Sequence, residues 1–472
     1  MAMTSQPRLS FLGGARTVTG SRFLLETGDK HILVDCGLCQ ERELQARNWQ
    51  PFPVPPDRLD AVLLTHAHLD HCGLLPRLAR EGFRGRIYAT GPTAEIARIV
   101  MLDSARLQVE DMEQKRRRHE RESRAGAHPL APLYTEKDAE AISTHFQVVE
   151  FGSPVPVASG VTAEFFEAGH ILGSASIRLT VGAGSDSRSI LFSGDIGRWD
   201  RPIINDPDPC DRADYVLMES TYGDSLHGPD DQIESTLGNV IAEAVRAGGN
   251  IVVPSFAIER SQEVLYYLNR LLRADRIPHL LVFLDSPMAT KVTEIFGHWP
   301  AYLDEDMKRL IRENQSPFDL PGLVMTRTSE ESKTINRING SAVIIAGAGM
   351  CTGGRIKHHL ARNLSRSEST ILFVGYQAEG TLGREIVSGA RQVRILGETQ
   401  PVRARVARLE GLSGHADRDE LLRWARCLKQ PPRQTFVIHG EPKTAEHFRA
   451  TLEQSLGWNA SVPSSEQSAV LG

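Results

Sequence analysis

Short apolar runs that end in a charged or ionisable residue recur along this chain, and they constrain its fold more than any other feature. Examples are "KHILVDCG", "DAVLLTHAH", "SILFSGD" and "DYVLMES", flanked by the Gly, Asp and Ser residues that favour strand ends. Side chains at strand exits are where α/β folds build their sites. We therefore expect an α/β protein with a site formed by the residues that end such runs: Asp35, His66, His170, Asp195, Glu219 and His439.

The stretch from about 250 to 390 has a rhythm of its own. "NIVVPSFAIERSQEVLYYLNRLLR" reads as a strand, a turn and an amphipathic helix, and the pattern returns in "LLVFLDSPMATKVTEIF", "AVIIAGAGMCTGGRIKHHLAR" and "TILFVGYQAEGTLGREI". Repeated strand–turn–helix units predict right-handed crossovers and a parallel sheet. We predict a separate α/β domain here, and a long polar helix over residues 104–124 before it.

Length and composition set broad limits. At 472 residues the chain has room for about two to four domains. It has no apolar run of transmembrane length and its start lacks the apolar core of a signal peptide, so we predict a soluble cytoplasmic protein without a membrane partner. The six scattered cysteines fit reduced thiols. A net charge of −5 argues mildly against nucleic acid as a partner, so any such claim must rest on local features.

The segment "THAHLDH" crowds metal-binding side chains into one turn. Alternate residues of an extended segment face the same way, so His66 and His68 can hold one metal. Asp70 and His71 follow the turn and can hold a second. Imidazole nitrogen and carboxylate oxygen suit Zn²⁺, and also Mn²⁺ or Fe²⁺. The spacing predicts a two-metal site.

Further ligands are expected where other apolar runs end. His170, Asp195 and His439 are the candidates, with Asp195 as a bridge between the metals and Gly194 allowing close backbone approach. Asp35 is interpreted as a partner that fixes the orientation of a ligand histidine. Two metals that share a water lower its pKa and neutralise charge in the transition state.

A leaving alkoxide also needs a proton donor. We expect His415 of "GLSGHADRDEL" to supply it, with Glu219 of "LMESTYGD" as the residue that orients the imidazole.

The glycine-rich "GAGMCTGGR" is neither a P-loop nor a dinucleotide fingerprint, because it lacks GK[ST] and has the spacing GxGxxxG. Its amides, placed between a strand and a helix, can still bind phosphate. Arg355, Lys357 and Arg384 lie in or just after such turns. Phosphate contact and ordinary surface charge both remain open for this group.

The motifs together resemble the β-CASP nucleases of the metallo-β-lactamase superfamily, specifically the bacterial and archaeal relatives of the cleavage and polyadenylation endonuclease. "THAHLDH" with His170, Asp195 and His439 carries the superfamily resemblance. "ESTYGD", "SFAIERSQE", "DSPMA", "AGAGMCTGGR", "GYQAEGTLGR" and "LSGHAD" narrow it to the family. The resemblance spans nearly all of residues 8–445.

The resemblance implies an αβ/βα sandwich interrupted by an inserted α/β β-CASP domain. We expect the first part of the sandwich at 1–214, the β-CASP domain at 215–395 and the rest of the sandwich at 396–458. The small, polar residues 459–472 are expected to be disordered.

The resemblance also implies roles for single residues. His66, His68 and His170 would hold one zinc, Asp70, His71 and His439 the other, and Asp195 would bridge them. Asp70, His415, Glu219 and Asp35 would serve catalysis. Arg260, Ser286 and Gly353 join Arg355, Lys357 and Arg384 as expected RNA contacts. Where the family often has glycine before the arginine of the "SFA" motif, this chain has Glu259, which puts the role of Arg260 in doubt.

The sequence therefore predicts a zinc-dependent ribonuclease, with Mn²⁺ as an alternative metal, that leaves 5′-phosphate ends on single-stranded RNA. A thioester or lactone hydrolase is a second reading, and the inserted domain argues against it. A DNA nuclease is a third, and His439 argues against it because the DNA-acting branch typically has valine there. A metal-free RNA-binding subunit is a fourth, which the complete ligand set disfavours. The family also makes a homodimer an expected assembly.

Overall fold

The computed structural model describes residues 6–41, 43–122, 131–228, 232–338 and 340–472. The chain divides into two compact units. What we call the first unit consists of Met1–Asp200, Asp206–Leu226 and His415–Gly472. The second unit consists of Arg201–Asn205 and His227–Gly414.

The strands are numbered in chain order. They are β1 (Arg8–Gly13), β2 (Arg22–Thr27), β3 (Lys30–Val34), β4 (Ala61–Leu63), β5 (Arg86–Ala89), β6 (Phe146–Val148), β7 (Val155–Ala158), β8 (Val161–Glu167), β9 (Ala175–Val181), β10 (Arg188–Phe192), β11 (Tyr215–Glu219), β12 (Ile251–Pro254), β13 (Leu281–Leu284), β14 (Leu323–Met325), β15 (Ala342–Ala346), β16 (Thr370–Phe373), β17 (Gln392–Ile395), β18 (Glu398–Pro401), β19 (Arg405–Arg408), β20 (Gln434–Ile438), β21 (Ala460–Ser461) and β22 (Ser468–Val470).

The α-helices follow the same order. They are α1 (Leu69–Cys72), α2 (Leu75–Arg80), α3 (Gly91–Glu122), α4 (Glu136–Ser143), α5 (Ile233–Ala247), α6 (Arg260–Arg273), α7 (Pro287–His298), α8 (Glu305–Arg312), α9 (Ser329–Ile335), α10 (Ile356–Asn363), α11 (Leu382–Val387), α12 (Arg418–Ala425) and α13 (Pro442–Leu456). The predicted long polar helix is confirmed over 104–122 as part of α3. Residues 123 and 124 of that prediction lie outside the described residues.

Two sheets face each other in the first unit. Within the described residues, one seven-stranded sheet has the order β22-β1-β2-β3-β4-β5-β6 and the other β21-β20-β11-β10-β9-β8-β7. Aromatic rings from the two sheets pack against each other in the core: the ring centroids of Phe11 and Phe436 lie 5.0 Å apart, and those of Phe23 and Phe192 lie 6.2 Å apart. Strand β8, "VTAEFFE", alternates buried and half-buried residues, as a strand with one face in a core should.

Helices cover the outer faces of this sandwich. Leu421 of α12 and Phe448 of α13 share a buried cluster with Val216 and Met218 of β11. Strand β11 is therefore buried on both faces, which explains its unbroken apolar sequence. On the other sheet, α3 contacts β6 and packs against α4. The layers are helix, sheet, sheet and helix, so the αβ/βα sandwich expected from the sequence is confirmed.

The strand pairings differ from the expected boundaries of the inserted domain, by one strand at its start and by two at its end. Strand β11 follows residue 214 but pairs in parallel with β10 and β20 of the first unit. Strand β19 follows residue 395 but pairs in parallel with β16 of the second unit. At both boundaries the sheet to which a strand belongs is set by its backbone hydrogen bonds to neighbouring strands. The sequence of the strand itself does not identify that sheet.

The expectation of a disordered C-terminus is also wrong. Strand β21 pairs with β20, and β22 pairs with β1 in antiparallel register. Leu471 is buried, and the Tyr215 hydroxyl donates a hydrogen bond of 2.6 Å to the carbonyl oxygen of Gly472. Backbone hydrogen bonds to two sheet edges order this polar segment, although its composition alone does not predict a core.

The second unit contains the predicted parallel sheet. Within the described residues it has the order β14-β13-β15-β12-β16-β19, and each neighbouring pair is parallel. Of the apolar face predicted for helix α6, Val264, Leu265, Leu268 and Leu271 are buried and Leu272 is half-buried. The carboxyl ends of these strands carry the loops with the "SFA", "DSP", "GAGMCTGGR" and "GYQ" motifs.

Two further expectations concern the whole chain. Among the described residues, no helix is both long and apolar enough to span a membrane. All six cysteines are unpaired, as predicted. Burial raises the pKa of the Cys36 thiol to about 12, which makes it a poor nucleophile.

A buried carboxylate organises one end of the second unit. Asp285 follows β13, is fully buried, and accepts hydrogen bonds from Arg355 Nη1 at 2.7 Å, His359 Nε2 at 2.6 Å and Ser332 Oγ at 2.6 Å. Thr326 Oγ1 is a fourth donor. Burial opposes the charged form, but the hydrogen bonds from His359, Ser332 and Thr326 prevail and hold the pKa of Asp285 well below its usual range.

We expect Asp285→Asn to lower the free energy of unfolding of the second unit by about 3 kcal/mol, because it leaves the buried His359 and the half-buried Arg355 guanidinium without their anion. Calorimetry should show a Tm lower by roughly 6–12 °C. A carboxyl whose pKa is depressed on folding stabilises the protein above its unfolded pKa and loses that effect as pH falls. The difference from wild type should therefore narrow below about pH 4. The matched control is Asp306→Asn, an exposed pair with Arg309, expected to change stability by less than about 0.5 kcal/mol. Equal transitions for the two variants would contradict the assignment.

Candidate metal centre

Six strands of the first unit end at the same place. β3 and β4 are parallel neighbours in one sheet, and β10, β11 and β20 are parallel neighbours in the other. β8 runs in the direction of β10, since both are antiparallel to β9. The residues at or just after these carboxyl ends are those singled out in the sequence: Asp35, His66, His170, Asp195, Glu219 and His439.

Three imidazoles and one carboxylate form the first group of donors. His68 Nδ1 lies 3.1 Å from His66 Nε2 and 3.2 Å from His170 Nε2. Asp195 Oδ2 lies 3.4 Å from His66 Nε2 and 3.6 Å from His170 Nε2. Donors around a tetrahedral zinc at about 2.0–2.1 Å lie roughly 3.3 Å from one another. The observed spacings fit a divalent cation at the centre of the group.

The second group of donors shares Asp195 with the first. His71 Nε2 lies 3.3 Å from His439 Nε2 and 3.4 Å from Asp195 Oδ1. Asp70 Oδ2 lies 3.5 Å from His439 Nε2. Asp195 thus turns one oxygen to each group, and within the described residues Oδ1 is buried without a hydrogen-bond donor. A buried carboxylate oxygen with no donor is costly, and a cation would satisfy it.

Asp35 acts on the site through His71 and Thr65. Its Oδ2 lies 2.7 Å from His71 Nδ1 and accepts a 2.8 Å hydrogen bond from Thr65 Oγ1, and its Oδ1 accepts one of 2.8 Å from the Thr65 backbone nitrogen. The contact leaves His71 Nε2 to face the second group. Sequence reasoning anticipated Asp35 but missed Thr65, although Thr65 directly precedes the histidine cluster.

Backbone conformation brings the donors into place. Asp35 and His439 both have left-handed φ angles, of 57° and 48°. Such strain at non-glycine residues is typical of functional sites. Gly194, with φ of 57°, is required beside Asp195 because an added Cβ would lie 2.9 Å from the carbonyl oxygen of Ala175. Thr221 Oγ1, a second contact that sequence reasoning missed, lies 3.1 Å from His439 Nδ1.

His415 and Glu219 form a pair beside Asp195. His415 Nδ1 lies 3.1 Å from Glu219 Oε1, and His415 Nε2 lies 4.0 Å from Asp195 Oδ2. Glu219 is fully buried and is itself held by the backbone nitrogens of Ile196 at 2.7 Å and Thr221 at 3.1 Å. The turn that bears His415 is fixed by a 2.7 Å hydrogen bond from the Ala416 nitrogen to the Ile196 carbonyl oxygen.

Burial and the carboxylates shift the pKa values of the imidazoles in opposite directions, and a cation held by His71 would displace the proton that the carboxylates favour there. Burial lowers the pKa of His66 well below its usual range and that of His68 to about 4, so both are neutral, as metal ligands must be. Burial opposes protonation of His71 and His415 as well. Asp195 and Asp35 nevertheless raise the pKa of His71 to about 10, and Glu219 raises that of His415 to about 9. His415 therefore carries a proton near neutral pH.

The six candidate RNA contacts belong to the second unit, and two of them, Arg260 and Arg355, have internal acceptors. Arg260 is buried and paired with Glu263. Arg355 donates to Asp285 and, at 3.2 Å, to the carbonyl oxygen of Arg327. These contacts restrict both guanidinium groups, and contact of Arg260 or Arg355 with RNA stays a prediction.

The other four candidates keep accessible groups. Ser286 Oγ caps α7 by accepting from the Ala289 nitrogen at 3.2 Å. Gly353 is half-buried with open space beside it. Lys357 and Arg384 are half-buried, and no carboxylate lies within salt-bridge distance of either in the part of the chain described.

Family models match most of the chain. Residues 16–255 match the metallo-β-lactamase superfamily, residues 261–386 the β-CASP domain, and residues 399–463 a Zn-dependent metallo-hydrolase RNA specificity domain. The chain belongs to the β-CASP family of the metallo-β-lactamase superfamily. The family predicted from the sequence is confirmed, and with it a metal-dependent hydrolase whose His and Asp cluster serves divalent metal binding.

Relatives in the β-CASP family cover the chain almost end to end. It is 39% identical over 434 residues to Ribonuclease TTHA0252 of Thermus thermophilus, a match that covers 92% of this chain and 93% of that protein. It is 32% identical over 469 residues to the transcription termination factor FttA of Methanocaldococcus jannaschii, covering 97% of this chain and 70% of that protein. A crystal structure of a protein of unknown function from Enterococcus faecalis shares the fold, with a TM-score of 0.54, 12% identity, and coverage of 99% and 100%.

We expect Asp35→Asn to weaken divalent metal binding by about 10- to 100-fold. The three groups around Asp35 all donate to it, so an amide nitrogen there would face donors, while asparagine still tolerates the left-handed backbone. Metal content after dialysis against a graded series of chelators measures the change. Asp57→Asn, at an exposed position of the same unit, is the control. Equal metal retention in the two variants would show that Asp35 does not position a ligand.

Proposed function

We propose that this chain is a ribonuclease that hydrolyses RNA phosphodiester bonds with two bound zinc ions and leaves 5′-phosphate ends. Manganese suits the same donors. The observation that carries the proposal is the division of Asp195 between two donor groups, with the His415–Glu219 pair at the same carboxylate. We assign His66, His68 and His170 to one metal, Asp70, His71 and His439 to the other, and Asp195 to both.

RNA as the substrate is supported by the comparisons. The relative with 39% identity is named a ribonuclease, and residues 399–463 match a model described as an RNA specificity domain. These descriptions favour RNA over a thioester or lactone. His439 lies among the metal donors and is a ligand candidate. A DNA-acting member would be expected to have valine at this position.

The protein's own residues account for the proton transfers. Bound divalent cations would lower the pKa of water and neutralise phosphate charge. Glu219 holds His415 by Nδ1, which leaves Nε2 to donate its proton to the 3′-oxygen as the bond from phosphorus to that oxygen breaks. We assign the proton lost by the attacking water to Asp70, whose side chain is 16% exposed and whose Oδ2 lies 3.5 Å from His439 Nε2. The phosphate remains on the 5′-oxygen of the other product.

The cellular setting follows from the thiols. Unpaired cysteines are usual in a reducing compartment, so we propose that the protein acts in the cytoplasm. The homodimer expected from the family stays a prediction.

The first test is cleavage of unstructured RNA before and after metal removal. We expect chelation to abolish cleavage and Zn²⁺ or Mn²⁺ to restore it. Products should resist phosphorylation by polynucleotide kinase until they are treated with phosphatase, because their 5′ ends already carry phosphate. Substrates labelled at one end, with 5′-phosphate or 5′-hydroxyl, separate internal cleavage from digestion from the end.

DNA of the same sequence and a panel of thioesters and lactones serve as alternative substrates in that test. Protein that contains two zinc ions yet leaves RNA intact across metals and salts would refute the proposal. Faster turnover of an ester than of RNA would replace it by the small-molecule hydrolase.

The second test removes the proton donor. We expect His415→Ala to lower kcat by about 10²- to 10⁴-fold while the metal content stays at the wild-type value, because His415 lies beside the ligands without belonging to either metal group. His447→Ala, an exposed histidine of α13 in the same unit, should retain full activity. Loss of metal from His415→Ala would instead make His415 a ligand.

A further inference from the structure

Two aromatic side chains of the second unit are exposed where its parallel strands end. Phe256 lies two residues after β12 and is 42% exposed, and Tyr376 lies three residues after β16 and is 55% exposed. β12 and β16 are hydrogen-bonded neighbours, so the two rings rise from adjacent strand ends. We call Phe256 and Tyr376 the aromatic platform.

The ring of Phe256 is seated on glycine backbone. A Cβ added to Gly349 would lie 2.9 Å from Phe256 Cδ2, and one added to Gly375 would lie 3.8 Å from Cε2. The Ser261 hydroxyl donates a 2.6 Å hydrogen bond to the Phe256 carbonyl oxygen. The ring therefore has one supported side and a fixed backbone, while much of its surface stays open to solvent.

Gln377 ties the loop of Tyr376 to the loop beneath Phe256. Its buried Nε2 lies 3.1 Å from the carbonyl oxygen of Gly349, 3.1 Å from that of Gly375 and 3.0 Å from that of Tyr376. The two amide hydrogens of Gln377 are thus shared among the carbonyl oxygens of Tyr376 and of both glycines against which Phe256 packs. Exposed aromatic rings on tied loops lose little freedom on binding, which favours a ligand that stacks on them.

The same loops lead into two basic side chains, Lys357 and Arg384. Lys357 lies in the first turn of α10, after the glycine-rich loop, and Arg384 in the first turn of α11, after the Tyr376 loop. Neither has a carboxylate within salt-bridge distance among the described residues, whereas Arg260 and Arg355 are held internally. Glu379 adds one negative charge to the Tyr376 loop. Open aromatic faces on loops that lead into cations match the chemistry of a single-stranded nucleic acid.

We propose that Phe256 and Tyr376 form a base-stacking platform for single-stranded RNA, with Lys357 and Arg384 contributing attraction for its phosphates. The inference rests on the proposed ribonuclease function and deepens it. Every base has a π-face, so stacking recognises unpaired bases with little regard to sequence. The platform would thus favour unstructured RNA over duplex RNA, whose bases are not accessible to such rings.

The test compares RNA with and without bases. Phe256→Ala, Tyr376→Ala and the double variant are made in the full chain carrying His415→Gln, so that the ligand is not consumed. Fluorescence anisotropy measures binding of a short adenosine oligomer and of an abasic oligomer with the same ribose–phosphate backbone. Leu281→Ala is the matched control, since Leu281 is 45% exposed but begins β13 at the opposite end of the strand.

We expect each alanine variant to bind the adenosine oligomer on the order of 10-fold more weakly, and to bind the abasic oligomer as the parent does. Tyr376→Phe, which keeps the ring, and Leu281→Ala should leave both affinities unchanged. Equal loss for both oligomers would overturn the platform, because the substitutions would then act on charge or folding. Unchanged binding of the adenosine oligomer would overturn it too.

The platform and the proposed function fail separately. Cleavage of RNA by the chain with native His415, measured in parallel, tests the function. If RNA is cleaved while Phe256→Ala and Tyr376→Ala bind both oligomers alike, the platform is wrong and the ribonuclease stands. If RNA is bound through the two rings but never cleaved under any metal condition, the platform is supported and the ribonuclease is wrong.

Discussion

The carboxylate of Asp195 is the constraint on which the first unit depends. It is buried, it turns one oxygen to His66 and His170 and the other to His71, and within the described residues Oδ1 has no hydrogen-bond donor. Burying a charge without compensation is unfavourable by several kcal/mol. Burial of this carboxylate between two groups of imidazoles is favourable only when positive charge lies on both sides of it. The fold can hold this arrangement because both sheets end their parallel strands at the same place.

Packing within the sandwich holds the strand ends that carry the site in fixed positions. The second sheet packs its core face against the first and its outer face against α12 and α13, so β10, β11 and β20 have little freedom to shift. Asp195, Glu219 and His439 follow or end these strands, and His415 is tied to the same sheet through Ala416 and Ile196. The pairing of Glu219 with His415 therefore has a fixed geometry before any substrate arrives, as electrostatic preorganisation requires.

Much of this site could be predicted from the sequence because strand length, apolar composition and a polar end are local signals. His66, His170 and Asp195 each stand at the end of such a run, and parallel strands must place their ends together. Partners that lie far away in sequence left no comparable signal. The C-terminal strand β22 is ordered by pairing with β1 at the other end of the chain, so its local sequence wrongly suggested disorder. Strand β11 belongs to the sheet of β20, so its local sequence did not reveal the domain boundary.

The chemistry and the selectivity of this protein have different physical sources. All donors of the metal centre, together with His415 and Glu219, belong to the first unit. Such a site acts on the phosphate group and does not read what the phosphate joins, so selection of the substrate needs other groups. In the second unit the motif arginines Arg260 and Arg355 form ion pairs with Glu263 and Asp285. The glycine motifs serve instead to let loops pack closely under an exposed ring. Selectivity for unpaired bases then depends on the exposed face of an aromatic ring that packs on glycine. Charge patterns in the sequence do not reveal such a face.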